Sequence, residues 1–342
     1  MRLLVLGGTS FVGRAVVTAA IDTRGWSVTT FNRGRNPWAH PQARLLVGDR
    51  LRSVELGQLT HGRWDAVVDT WAGAPRAVQD TARLLAGRTD RYLYVSSRAV
   101  YTPPTPQGLD ETHPTVPATP NAADTDYARN KRGAKLALDA VYGDRAVFAR
   151  AGLILGPHED VGRLPYWLLR MARGGKVLAP GPADQPLQYI DVRDLANWLL
   201  DATDGVVSGP VNLVTSAGHA TMAGLLGAAV AATGGNAELI WVDPDAIQNT
   251  TIDRWTELPG WIPPGQEFAG LRSTNTDRAR LSGLKCRPVD QTVADTWAWM
   301  TESGPTPTAP PASLRLGLDP IKERAALAEW RTRGAPHDGD PH

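Results

Sequence analysis

Cysteine is all but missing from this chain: a single thiol, Cys286, stands among 342 residues. An internal disulfide and any metal site built on several cysteines are thereby excluded, which suits a reducing compartment and a cytoplasmic protein. Such a lone cysteine reads as a small buried hydrophobe. Net charge is missing too. Lys plus Arg (36) nearly cancels Asp plus Glu (35), leaving +1, which gives no long-range field to gather nucleic acid or an anionic membrane. Long apolar runs are absent as well. Leu3-Leu4-Val5-Leu6 breaks off at Gly7-Gly8, too short for a signal-peptide core or a membrane span, and reads as a first β-strand. No metal-ligating constellation is expected, and no internal repeat is evident.

What is present is an alternation of short β-branched runs with helical periodicity, the pattern of parallel strands joined by crossover helices. Strands are expected at Arg2–Leu6, Ser27–Phe31, Ala43–Val47, Asp65–Thr70, Arg91–Ser96 and Ala146–Leu153. Helices are expected at Phe11–Ile21 and Pro75–Leu85, where Val12, Ala15, Val16 and Ala19, and Val78, Ala82 and Leu85, each share a face. After Gly156-Pro157 the alternation fades. A short helix at Tyr166–Arg173 leads into a Gly/Pro-rich stretch, Gly174 to Pro186, that reads as a substrate-binding insert. Strand Leu187–Ile190, helix Val192–Ala202 and strand Pro210–Val214 return to the sheet before a mainly helical portion from Ala220 to about Ser303.

The fold class this implies is α/β: a doubly wound parallel sheet of Rossmann type with a smaller, mainly helical C-terminal substrate domain. The nucleotide-binding domain would take residues 1–155 plus about 187–215, and the substrate-binding domain 156–186 plus 216–303. Residues 304–342 would form a Pro-rich linker (Gly304–Pro311), a terminal helix (Pro320–Thr332) and a polar tail.

Gly7-Gly8-Thr9-Ser10-Phe11-Val12-Gly13 ends the first strand and opens the first helix. A glycine turn in that place leaves the unpaired amides of the helix N-terminus facing a dinucleotide pyrophosphate, with Gly7 for the tight turn and Gly13 for close helix–sheet contact. The second strand ends about 20 residues further on, where a carboxylate would select the ribose 2′-hydroxyl of NAD. Asn32 and Arg33 stand there instead, with Arg35 close by. Because a guanidinium pairs with phosphate through two hydrogen bonds, NADP(H) is favoured over NAD(H).

Tyr127-Ala128-Arg129-Asn130-Lys131 sets a phenol and an ammonium one helical turn apart, in a chain with only seven tyrosines and five lysines. A tyrosine titrating near 10 must have its phenolate stabilised by about 4 kcal/mol to exchange protons at neutral pH, and Lys131 together with a positive nicotinamide ring can supply energy of that order in a partly desolvated cleft.

Taken in order, these motifs resemble the extended short-chain dehydrogenases/reductases of the NAD-dependent epimerase/dehydratase family, over roughly residues 1–215. Ser10 stands where the middle glycine of the family's fingerprint is usual, as in an atypical branch that includes the chloroplast stem-loop-binding proteins. Tyr94-Val95-Ser96-Ser97-Arg98-Ala99-Val100-Tyr101 resembles the segment preceding the family's tyrosine, and the resemblance implies that Ser97 holds the substrate oxygen. Arg150-Ala151-Gly152-Leu153-Ile154-Leu155-Gly156-Pro157 is similar to its Arg-Pro-x-Asn-Val-Tyr-Gly-Pro, and Tyr189 to Ala196 to its Asp-Val-x-Asp segment. By the same resemblance Asp49 lies near the adenine, with a helix cap as its plainer reading, and Arg50, Trp71, Ala72 and Gly152 join the cofactor set. Leu153 and Gln188 are candidate substrate contacts, while His158, Glu159, Trp167 and Trp255 are as well read as surface or packing residues. Leu153 in place of asparagine, and Asp69-Thr70-Trp71-Ala72-Gly73 in place of His-x-Ala-Ala, count against a sugar-nucleotide substrate.

The resemblance implies a small-molecule oxidoreductase in which Tyr127 passes the proton, Lys131 lowers its pKa and Ser97 binds the reacting oxygen. Two other readings stay open: an NAD-dependent epimerase or dehydratase working through a transient ketone, and an RNA-binding or redox-sensing relative without turnover. A monomer or homodimer is expected, with no membrane or nucleic-acid partner.

Overall fold

The computed structural model describes residues 1–302 and 316–332, which form two compact units. The expected linker Gly304–Pro311 and the tail beyond Thr332 lie outside the described residues.

The first unit holds Met1–Ile154, Gln188–Ser216 and Ala269–Arg287. Its sheet has seven strands: β1 (Arg2–Leu6), β2 (Ser27–Asn32), β3 (Arg44–Val47), β4 (Trp64–Asp69), β5 (Thr89–Ser97), β6 (Ala146–Ala151) and β7 (Gly209–Leu213). Their order is β3-β2-β1-β4-β5-β6-β7 and every pairing is parallel. The order reverses beside β1, and that reversal opens a crevice at the carboxyl ends of the strands. Both faces are covered. Leu3 and Val5 of β1 bury against α1 (Phe11–Thr18) and α4 (Val192–Asp201), joined by Val16, Val17, Leu195 and Leu199. Leu4 and Leu6 point the other way, with Val78, Ala82 and Leu85 of α2 (Pro75–Leu85) and Ala134 and Leu138 of α3 (Tyr127–Tyr142). Each such Leu or Val side chain contributes about 1.5–3 kcal/mol by leaving water. Cys286 packs half-buried against the first cluster, where burial pushes its thiol up to about 12 and so keeps it unreactive.

Several boundaries differ from expectation. The first helix is α-helical only to Thr18 and closes in a wider π turn, Ala19–Thr23. The strand expected at Ala146–Leu153 stops at Ala151 and Leu153–Leu155 forms another, with Gly152 between them, where a side chain would run into the Arg98 guanidinium and Val214. Strand Tyr189–Asp191 begins two residues later than the expected Leu187. Ala269–Arg287 was expected in the second domain and lies in the first unit.

The second unit holds Leu155–Leu187, Ala217–Phe268 and the described residues from Pro288 on. It is mainly helical: Arg163–Ala172, Met222–Thr233, Val289–Thr301 and Pro320–Thr332. The Gly/Pro-rich stretch is not wholly irregular. Gly175–Pro180 forms a strand parallel to Ala237–Val242, so a strand also interrupts the portion expected to be helical. No helix among the described residues is long and apolar enough to cross a membrane.

Candidate active site

The turn after β1 bends through Gly7 (φ +115°) and Gly8 (φ +91°), a backbone region that L side chains rarely enter. Gly13 lies in the first turn of α1, and a Cβ there would stand 2.5 Å from the Gly8 nitrogen, so glycine alone lets the helix start so close to the turn. Ser10 is the N-cap of α1 and makes no side-chain cap hydrogen bond, so the first-turn amides keep their capacity for an anion. Its Oγ instead accepts from Asn36 Nδ2 at 3.3 Å, and the same amide donates to the Thr9 carbonyl at 2.9 Å. The serine that replaces the usual glycine is thus tied to the loop after β2. Asn36 carried no motif that would have singled it out.

These residues border a cleft of about 400 Å³. Of the expected cofactor set, Gly7, Thr9, Ser10, Asn32, Arg33, Arg35, Asp49, Arg50, Trp71 and Ala72 all line it, as do Gly8, Asn36, Thr70 and Gly73, which the sequence reading passed over. Phe11, Val12 and Gly13 belong to α1 behind the turn, and Gly152 lies apart beside Arg98. Asn32 Oδ1 accepts from Gly34 N at 2.9 Å, while its Nδ2 is buried with no hydrogen-bond partner. Such an orphaned donor beside an open cleft calls for a ligand oxygen. Arg33 and Arg35 are exposed on the rim, and β2 ends without a carboxylate to repel a phosphate. Asp49 Oδ1 accepts from Leu51 N at 3.0 Å in a capping arrangement. Arg50 is among the residues lining the cleft, and its guanidinium binds Asp69 at 2.8 and 3.0 Å and Thr81 Oγ1 at 2.9 Å.

Trp71 joins this cleft to the second cluster. Its carbonyl accepts from Lys131 Nζ at 2.6 Å and from Tyr94 Oη at 2.8 Å, and Lys131 Nζ also donates to the Val95 carbonyl at 2.6 Å. Lys131 is 2% exposed and burial pulls its pKa down to about 7. Its ammonium stands 5.8 Å from the Tyr127 ring centroid and 4.7 Å from that of Tyr94. Tyr127 opens α3 behind the N-cap Asp126, whose carboxylate accepts from Arg129 N, and is 50% exposed. A buried lysine under an accessible phenol is the arrangement that acid–base use of the phenol requires. Ser97, at the end of β5, accepts from Ala99 N at 3.1 Å and keeps its own hydroxyl hydrogen for another acceptor.

Leu153 is half-buried where the chain resumes after Gly152. Gln188 is 3% exposed with its amide taken up: Oε1 accepts from Thr274 N (2.7 Å) and Arg98 (3.2 Å), and Nε2 donates to the carbonyls of Thr215 (2.9 Å) and Thr274 (3.0 Å). Trp167 is core, its Nε1 donating to the Pro259 carbonyl, and His158 rests on Trp299.

A doubly wound sheet with a glycine-lined cleft at its reversal point and a Tyr-x-x-x-Lys pair beside it defines an enzyme of the short-chain dehydrogenase/reductase class, in its extended form. The chain belongs to the NAD dependent epimerase/dehydratase family, whose model matches residues 3–215. No curated protein matches the sequence significantly. Solved structures share the fold at low identity. The enzyme WbmH of Bordetella bronchiseptica, in complex with NAD+, is 19% identical with a TM-score of 0.66, covering 89% of this chain and 99% of its own. UDP-glucose 4-epimerase of Thermotoga maritima, with UDP-glucose, is 17% identical at 0.66, covering 89% and 99%. UDP-N-acetylglucosamine 4-epimerase of Methanobrevibacter ruminantium, in complex with UDP-N-acetylmuramic acid, is 18% identical at 0.66, covering 88% and 98%.

Proposed function

We infer that this chain binds NAD(P) in the cleft of its first unit and moves hydride to or from a carbon bearing oxygen on a small molecule. The observation that carries this reading is the place of Trp71, which lines the dinucleotide cleft and holds, through its carbonyl, the lysine next to Tyr127. The residues present fit a dinucleotide: the uncapped first turn of α1 would take the pyrophosphate, the orphaned Asn32 Nδ2 a ribose or phosphate oxygen, and Arg33 and Arg35 a 2′-phosphate. The cofactor supplies hydride chemistry when bound. Tyr127 exchanges the proton of the reacting oxygen, Lys131 places positive charge beside the phenol, and Ser97 donates a hydrogen bond to that oxygen.

NADP(H) is preferred on the arginines and the absent carboxylate. A second reading, an epimerase that holds NAD and returns the hydride, is favoured by the NAD+ complex of WbmH and by the two UDP-sugar epimerases of the same fold. Leu153, where the family has asparagine, weighs against a sugar nucleotide for this chain. Monomer or homodimer remain the proposed states. The deciding experiment is mass spectrometry of ligands co-purified with the protein, with NADPH and NADH titrations of the wild type and Tyr127→Phe. Exchangeable NADPH, bound as well by the variant while turnover of a carbonyl panel is lost, supports the reductase. Bound NAD that survives dialysis points to the epimerase, and absence of binding to either dinucleotide refutes both.

A further inference from the structure

We propose that Asp69 and Arg50 form a positioning pair for Lys131, holding and charge-balancing its ammonium through residue Trp71; this rests on the pairing of Lys131 with Tyr127 argued above.

The connection is made of hydrogen bonds on both sides of one residue. The Trp71 N–H donates to Asp69 Oδ1 at 2.9 Å, and the Trp71 carbonyl accepts from Lys131 Nζ at 2.6 Å. Asp69 thus holds the peptide group before Trp71, and Lys131 bonds the peptide group after it. Asp69 is itself fully buried and held from three further donors: Arg50 Nη1 at 2.8 Å, Arg50 Nη2 at 3.0 Å and Tyr92 Oη at 2.7 Å. The Arg50 guanidinium also lies 5.0 Å from the Trp71 ring centroid, so the same residue is gripped by its side chain and its backbone.

Electrostatics runs along the same path. The groups facing Lys131 are Asp69 from β4, Tyr94 from β5, Arg50 from the turn after β3 and Tyr127 from its own helix. Among the described residues no carboxylate pairs with the ammonium, which donates to the carbonyls of Trp71 and Val95. Asp69 favours the protonated lysine and Arg50 opposes it, against a burial effect that outweighs both. The two act on Lys131 with opposite signs, the carboxylate the more strongly, and loss of either member leaves one uncompensated charge in a low-dielectric interior. A plain core ion pair would stabilise the sheet and do nothing to the lysine.

The opposite signs give the test. The chain has five lysines, so 13Cε-lysine labelling of the full-length protein gives a small set of side-chain NMR signals, with that of Lys131 assigned from Lys131→Arg. Asp69→Asn keeps an oxygen for the Trp71 N–H but leaves Arg50 unbalanced, and should move the Lys131 titration midpoint down by about one pH unit or more, a rise in Ka of about tenfold. Arg50→Met leaves Asp69 unbalanced and should move the midpoint up by a similar amount. The double variant should return close to wild type. Shifts of opposite sign support the pair as positioning residues, and if one single variant fails to fold, the sign of the other decides. An unchanged Lys131 titration, or two shifts in one direction, overturns the proposal. Dinucleotide titrations of the wild type run alongside: their failure would remove the functional reading, yet leave the Lys131 shifts to judge the pair.

Discussion

Lys131 donates to the carbonyl of Trp71 across 2.6 Å, so a residue that walls the cleft beside the glycine turn also fixes the buried ammonium. A buried lysine with a pKa near 7 is a stored cost, because desolvation penalises its charged form.

That cost predicts a pH dependence. The folded value of about 7 lies below the ordinary 10.5, so between them the unfolded chain binds the extra proton. Stability therefore rises with pH from about 7 to about 10.5 on account of this group, and is indifferent to it below 7. Urea midpoints of wild type and Lys131→Met at pH 7 and 9.5 should show the wild type gaining on the variant at the higher pH, by an amount on the order of several kcal/mol. Tyr92 and Tyr94, whose phenols burial pushes well up, act alike in both proteins. A constant difference would mean that Lys131 is not desolvated.

Gly13→Ala should weaken dinucleotide binding by about fivefold or more. The added methyl meets the Gly8 backbone at 2.5 Å, and a backbone neighbour cannot swing aside as a side-chain end would. Overpacking of this kind costs about 1–3 kcal/mol, taken here from the geometry of the turn. Fluorescence titration with NADPH and a thermal melt check it. Unaltered affinity would show that the close approach of α1 to the turn is not what forms the site.

The sheet was legible because its signals are local. β1, the glycine turn and α2 follow from periodicity and turn residues within a dozen positions, and Pro75–Leu85 and Pro320–Thr332 carry the same bounds in sequence and structure. Strand Gly175–Pro180 was not legible, since its partner, Ala237–Val242, lies some 60 residues away and neither run alternates enough to betray a strand. In the site, ten cofactor candidates meet at one cleft, yet the guanidinium of Arg50 binds Asp69. Sequence cannot disclose that bond, because a pairing 19 residues apart across two strands has no periodic signature. Asn36 escaped for a related reason: a loop amide that braces Ser10 looks like any other polar loop residue.

Arg33→Ala should separate the two cofactors. Loss of a charge-assisted hydrogen bond to phosphate costs about 1.5–3 kcal/mol, or roughly 10- to 100-fold in affinity. The loss should fall on NADPH and spare NADH, since only the former carries the 2′-phosphate. Parallel titrations of both against the variant read the difference. Equal loss of both would place Arg33 on the pyrophosphate, and no loss would remove it from the site.

In the second unit, Arg170 and Glu323 make a buried ion pair on which the terminal helix depends. Arg170 Nε lies 2.8 and 3.0 Å from the Glu323 oxygens, one of which also accepts from Leu178 N at 3.1 Å, while the remaining guanidinium nitrogens bond the carbonyls of Gly174 (2.9 Å) and Lys176 (2.6 Å). Pairs this dry contribute little over a well-packed apolar pair, but removal of one member strands the other charge. Glu323→Gln should therefore destabilise the protein by about 3–5 kcal/mol, and Arg170→Met with Glu323→Leu should recover much of that loss. Urea denaturation of Glu323→Gln, of Arg170→Met and Glu323→Leu singly, and of the double variant supplies the test. If Glu323→Gln melts with wild-type midpoint, the carboxylate is not compensating the arginine, and the helix Pro320–Thr332 must be held by Leu327 and its apolar neighbours instead.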